Sequence, residues 1–102
     1  MTNPLIYVGL RGRVAALHRE TGELVWNWKS PLPFRGQCVT LLLDGDRLIV
    51  SISGYMHALD AGTGSELWSN NLPGFGIGVT SLASARSAVV GIVPPFAADR
   101  QC

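Results

Sequence analysis

The chain repeats itself. Residues 6–31, IYVGLRGRVAALHRETGELVWNWKSP, align without a gap on residues 48–73, LIVSISGYMHALDAGTGSELWSNNLP, at an offset of 42. Under that offset Val8 meets Val50, Gly12 meets Gly54, Ala16 meets Ala58, Leu17 meets Leu59, Thr21 meets Thr63, Gly22 meets Gly64 and Trp26 meets Trp68. An echo at an offset of 40 lays 39–53 on 79–93, so a third unit opens and is not finished. A period of about 40 residues marks an array in which each unit buries its apolar face only against its neighbours.

Within each unit, short runs rich in β-branched and aromatic residues alternate with turn residues. The expected strands are 6–10, 14–18, 24–28, 39–43, 48–53, 56–60, 66–70, 79–83 and 88–93. Between them lie Arg11-Gly12, Glu20-Thr21-Gly22, Asp44-Gly45-Asp46, Ser53-Gly54 and Gly62-Thr63-Gly64, combinations suited to hairpins that need positive φ. No stretch keeps a helical apolar stripe, so the expected fold class is all-β. Four short antiparallel strands per period describe one blade of a β-propeller. Organisation follows as a single segment over 1–102: repeat 1 at about 6–31, repeat 2 at about 39–73, a partial repeat 3 at about 79–93 and a tail at 94–102.

The sequence Ala58-x-Asp60-x-x-Thr63-Gly64-x-Glu66-x-Trp68 resembles the tryptophan-docking motif of the quinoprotein (PQQ-like) propeller repeat, with all six characteristic positions present. The first copy keeps Ala16, Thr21, Gly22 and Trp26, with His18 for the acid and Leu24 for the Glu. This resemblance implies four-stranded blades of the PQQ-like or WD40-like kind, with each tryptophan stacked between its own motif's alanine and the turn of the next blade. The residues support that role unaided. Thr and Gly close a turn, Asp60 can cap its backbone amides, and a tryptophan on an outer strand is a large flat group suited to packing between blades.

Somewhat more than two periods fit in 102 residues, whereas closed propellers typically have four to eight blades. An incomplete propeller of about two blades is therefore expected. It either closes by homo-oligomerisation, as six blades from a trimer or eight from a tetramer, or is a truncated piece of a larger PQQ-like protein resembling an outer-membrane assembly lipoprotein or a quinone-dependent dehydrogenase. The expected function is a non-enzymatic binding or interaction scaffold, with self-association or another propeller segment as partner.

Sorting charges by loop adds one hint. The loops at one end of the blades receive Arg11, Arg13, Lys29 and Arg35 without an acid, with Phe34 and Tyr55 beside them. The opposite end receives Glu20, Glu23, Asp44, Asp46, Asp60 and Glu66, offset only by Arg19, Arg47 and Arg86. Clustered charge of one sign focuses a potential on ligands of the other, so the basic end is a candidate site for an acidic protein or a small anion. A net charge of +1 gives no bulk attraction to nucleic acid or anionic lipid.

Enzymatic members of the resembling family imply an axial quinone cofactor, a calcium ion, a general-base Asp and an adjacent cysteine pair. None is identifiable, so no catalytic residue, cofactor or metal is expected. Ser51, Ser53 and Ser81 lie in strands without a nucleophile elbow, and Gly74-x-Gly76-x-Gly78 leads into a strand and not the helix a dinucleotide loop requires. His18 sits at the turn-acid position, and His57 is expected on a surface or between strands. Apolar runs such as 41–43 and 48–50 fall far short of the roughly 20 residues that span a bilayer. Cys38 and Cys102 share no C-x-x-C spacing and read as free thiols. With no signal peptide visible, the expected address is cytoplasmic.

Overall fold

The computed structural model describes residues 4–31, 38–85 and 88–89. Its strands are β1 (Leu5–Leu10), β2 (Arg13–His18), β3 (Leu24–Lys29), β4 (Val39–Asp44), β5 (Arg47–Ile52), β6 (Tyr55–Asp60), β7 (Glu66–Asn70), β8 (Leu82–Ala83) and β9 (Ala88–Val89). They form three antiparallel sheets in the orders β1-β2-β3, β4-β5-β6-β7 and β8-β9. The described chain therefore holds three strands of one blade, a whole second blade and two strands of a third.

Two-residue hairpin loops set the register. Arg11 and Gly12 have φ of 49° and 74°, and Ser53 and Gly54 have 52° and 105°. Positive φ at both central positions is the type I′ signature, whose twist matches that of the flanking strands. The hairpins pair Leu10 with Arg13 and Ile52 with Tyr55. On both outer strands the register shifts just after the motif alanine, leaving Ala16 opposite Trp26 and Ala58 opposite Trp68.

The core lies between the first two blades. Val14, Ala16 and Trp26 of the first pack with Leu48, Val50, Ile52, Leu59 and Ala61 of the second, bordered by Leu5, Tyr7, Trp28, Val39 and Leu41. Residues two apart share a face of a sheet, so Leu48, Val50 and Ile52 line one face of β5, with Leu59 and His57 beside them on β6. Gly9 admits β4: a Cβ there would run into the Val39 side chain.

Two expectations need correction. The strand expected over 79–83 reduces to Leu82–Ala83, because the preceding residues bond back to the second blade. Gly78 N donates to Ser53 O at 3.1 Å, and Ser51 Oγ donates to Thr80 Oγ1 at 2.7 Å. Cys38 is not a free thiol but disulfide-bonded. Spacing offers no sign of this bond, and Cys102 lies outside the described residues. The rest of the third unit and the tail lie outside the described residues.

Candidate functional site

The turn after β6 is built to receive a flat ring. Asp60 Oδ1 accepts hydrogen bonds from Gly62 N (2.8 Å) and Thr63 N (3.1 Å), while Gly64 N donates to Asp60 O (2.8 Å). Ser65 N donates to Thr63 Oγ1 at 3.3 Å. Gly64, at φ 80°, takes the left-handed backbone, and it also admits a neighbour: a Cβ there would stand 2.5 Å from Trp26 Cε3. Trp26 reaches across from the first blade and lays its indole on this glycine. Its Nε1 donates to Ala61 O (3.1 Å), which also accepts from the Tyr7 hydroxyl (2.9 Å). The result is a tryptophan only 8% exposed, satisfied at its one polar atom.

The first blade builds the same turn with other atoms. Glu20 N donates to His18 Nδ1 (3.2 Å), so the imidazole nitrogen does the capping that a carboxylate does in the second copy. Gly22 N donates to His18 O (2.7 Å), and Glu23 N to Thr21 Oγ1 (3.2 Å). What differs is occupancy. Nothing lies within 4 Å of a Cβ built on Gly22, and Trp68, the counterpart of Trp26, is 41% exposed. Ala16 and Ala58, the backing alanines, are both fully buried.

His57 lies at the junction of the first two blades. It is buried, with its ring edge-on to Trp28 at a centroid distance of 4.8 Å. Glu66 Oε1 is 3.6 Å from Nδ1, an ion-pair distance, and neither ring nitrogen has a hydrogen-bond partner among the described residues. Burial pushes the imidazole below its ordinary value of 6.5, against an upward pull from the Glu66 carboxylate. A surface placement for His57 is thus overturned. Trp28, Tyr7 and Ala61 are dock and interface residues that the motif did not mark. Alternation along β3, which puts Trp28 on the face of Trp26, was the available signal.

At the end of the blades carrying the type I′ turns, Arg11, Arg13 and Lys29 come together on the first blade, all exposed. Arg13 and Lys29 are directly opposed across β2 and β3, and like charges in that position repel. Tyr55 stands apart on the second blade, half-buried, lining a shallow hollow of about 620 Å³ with Leu72, Pro73, Gly76 and Ile77. Phe34 and Arg35 lie outside the described residues. No carboxylate stands at this end among the described residues; Glu20, Glu23, Asp44, Asp46, Asp60 and Glu66 are in or beside the turns of the other. Among the described residues no three His, Cys, Asp or Glu side chains gather as a metal cluster, and Asp60 is committed to its turn. No helix of the described residues is long and apolar enough to cross a membrane.

The sequence profile of a PQQ-type family, described as outer membrane protein assembly factor BamB, matches residues 5–101. No curated protein matches the chain. Among solved structures, a europium-containing methanol dehydrogenase matches with a TM-score of 0.54 and 26% identity, covering 68% of this chain. The chain spans 14% of that enzyme's length.

Proposed function

Because the chain belongs to the PQQ-like propeller-repeat family of the outer membrane protein assembly factor BamB, we propose that it is a propeller segment acting as a non-enzymatic interaction scaffold, with its basic loop end as the site for an acidic partner. One observation carries the reading. Arg13 and Lys29 face each other across adjacent strands with Arg11 beside them, and no described carboxylate stands at that end. An anionic group between the cations would offset their repulsion, and a site this exposed would act mainly through screened, salt-sensitive attraction.

Titration calorimetry with an acidic peptide of glutamates at low salt tests the idea. Binding that weakens on adding salt and is lost in Arg11→Ala and Lys29→Ala, but survives Arg47→Ala at the acidic end, is expected. Binding unchanged by the first two substitutions would refute it.

A second reading is that the chain is one piece of a larger PQQ-like propeller protein, whose ligand site would draw on other blades. The 14% coverage of the dehydrogenase and the exposure of Trp68 favour it. As for location, the Cys38 disulfide removes the free-thiol support for a cytoplasmic address and favours an oxidising compartment.

A further inference from the structure

The chain carries both halves of one more blade-to-blade interface. Repeat-related residues on the leading face of each blade have opposite fates: Leu48, Val50 and Ile52 are sealed beneath the first blade, while their counterparts Ile6, Val8 and Leu10 are exposed. The contrast reaches 0% for Ile52 against 67% for Leu10. Leu24, at the far side of that first face, is exposed as well. Beside it lies the turn of Arg19 to Gly22, with the hydrogen bonds of the occupied seat and nothing over Gly22. Further along the chain, Trp68 is backed by Ala58 as Trp26 is by Ala16, and among the described residues no turn lies over it.

We propose that a second copy of this chain docks here head to tail, Trp68 of one copy lying on the Gly22 turn of the next and the exposed face of β1 closing over the second blade. The inference rests on the propeller-segment reading and is independent of anion binding at the loop end. Its template is the interface already formed inside the chain, where Trp26 lies on Gly64 and donates to Ala61 O; Arg19 O is the acceptor at the equivalent position. Such contacts use different patches on the two partners, so they propagate or close into a ring. In the third sheet β9 stands beside β8, where an incoming β1 would stand. Among the described residues its ladder is two residue pairs, against the six residues of β1.

Light scattering on the full chain, with two single variants, tests this. Val8→Lys blocks the leading face and Trp68→Ala removes the docking ring; both sites are exposed in the single chain, so neither change should unfold it. Wild type is expected to exceed 10.9 kDa by whole multiples as concentration rises, and each variant alone to stay at that mass. An equimolar mixture of the variants should give a one-to-one dimer, because each retains the half that the other lacks. A folded wild type that stays single at every concentration, with the Trp26 indole protected, overturns the self-docking and leaves the propeller segment standing. Wild-type assembly in either variant, or no dimer in the mixture, also overturns it. A wild type without β structure or a protected indole overturns both.

Discussion

Gly64→Ala should cost far more than Gly22→Ala, although the two glycines hold the same place in the repeat and nearly the same backbone, at φ 80° and 78°. Placing alanine in the left-handed region costs about 1–2 kcal/mol at either site, and the gain from a less free unfolded chain is common to both. At Gly22 nothing else is met, since no atom lies within 4 Å of the new Cβ. At Gly64 the methyl would stand 2.5 Å from Trp26 Cε3 and 2.6 Å from Cδ2, so the indole must move. Sideways escape is restrained by the Nε1 bond to Ala61 and by the Tyr7 ring, 6.0 Å away between centroids. Overpacking of this kind costs roughly 1–3 kcal/mol. Undocking the ring outright would forfeit at most about 4–6 kcal/mol, from the 150–250 Å² a tryptophan buries at about 25 cal/mol per Å². The expected difference between the variants is therefore about 1–3 kcal/mol. Urea denaturation in dilute solution, followed by tryptophan fluorescence, measures it. Equal losses would mean that Trp26 does not lie on Gly64.

Other consequences follow from the same contacts. Asp60→Ala removes the acceptor for two turn amides and should cost about 0.5–2 kcal/mol by analogy with a lost helix cap; a urea midpoint equal to wild type would show the turn to be self-supporting. His57 holds its proton less readily folded than unfolded, so the stability it permits is present above its ordinary 6.5 and is lost as pH falls below that value. Wild type should thus weaken on acidification from pH 7.5 to 5.5 more than His57→Gln does; parallel losses would contradict the burial. Reducing the Cys38 disulfide should lower stability by about 2–4 kcal/mol, and Cys38 should be unreactive to a thiol reagent until reduced.

Much of the fold was legible because a propeller blade is a local object. Its strands are joined by turns whose residues declare themselves, and β1 to β7 fall within about two residues of the expected bounds, as where the run 14–18 became Arg13–His18. The turn role of Asp60 was legible for the same reason, and so was the place of His18 in the other copy. What a motif cannot tell is which neighbour is present. Trp26 and Trp68 stand in the same local pattern and differ because, among the described residues, a following turn lies against Trp26 and none against Trp68. For His57 the sequence left a surface and an inter-strand place both open, because one strand's alternation is ambiguous when both faces are covered, and its cover, Trp28, comes from another blade. The run 79–83 reads as a strand, yet at its start Gly78 N donates to Ser53 O and the Thr80 hydroxyl accepts from Ser51 Oγ, contacts with the second blade that its own pattern does not show. The end that each described loop occupies could be read because strand order alone decides it, as with Arg11 and Gly12 at one end and Asp44 to Asp46 at the other.

Trp26 docks on the next blade while its repeat twin, Trp68, stands exposed. Hydrogen exchange at the three indole N–H groups of ¹⁵N-labelled chain, in dilute solution, tests this, with Trp28→Phe and Trp68→Phe separating the Trp26 and Trp68 resonances. The Trp26 indole, bonded to Ala61 O and buried, should exchange slowly while that of Trp68 exchanges at nearly the free rate. Equal rates for the two, or a protected Trp68 beside an open Trp26, would contradict it.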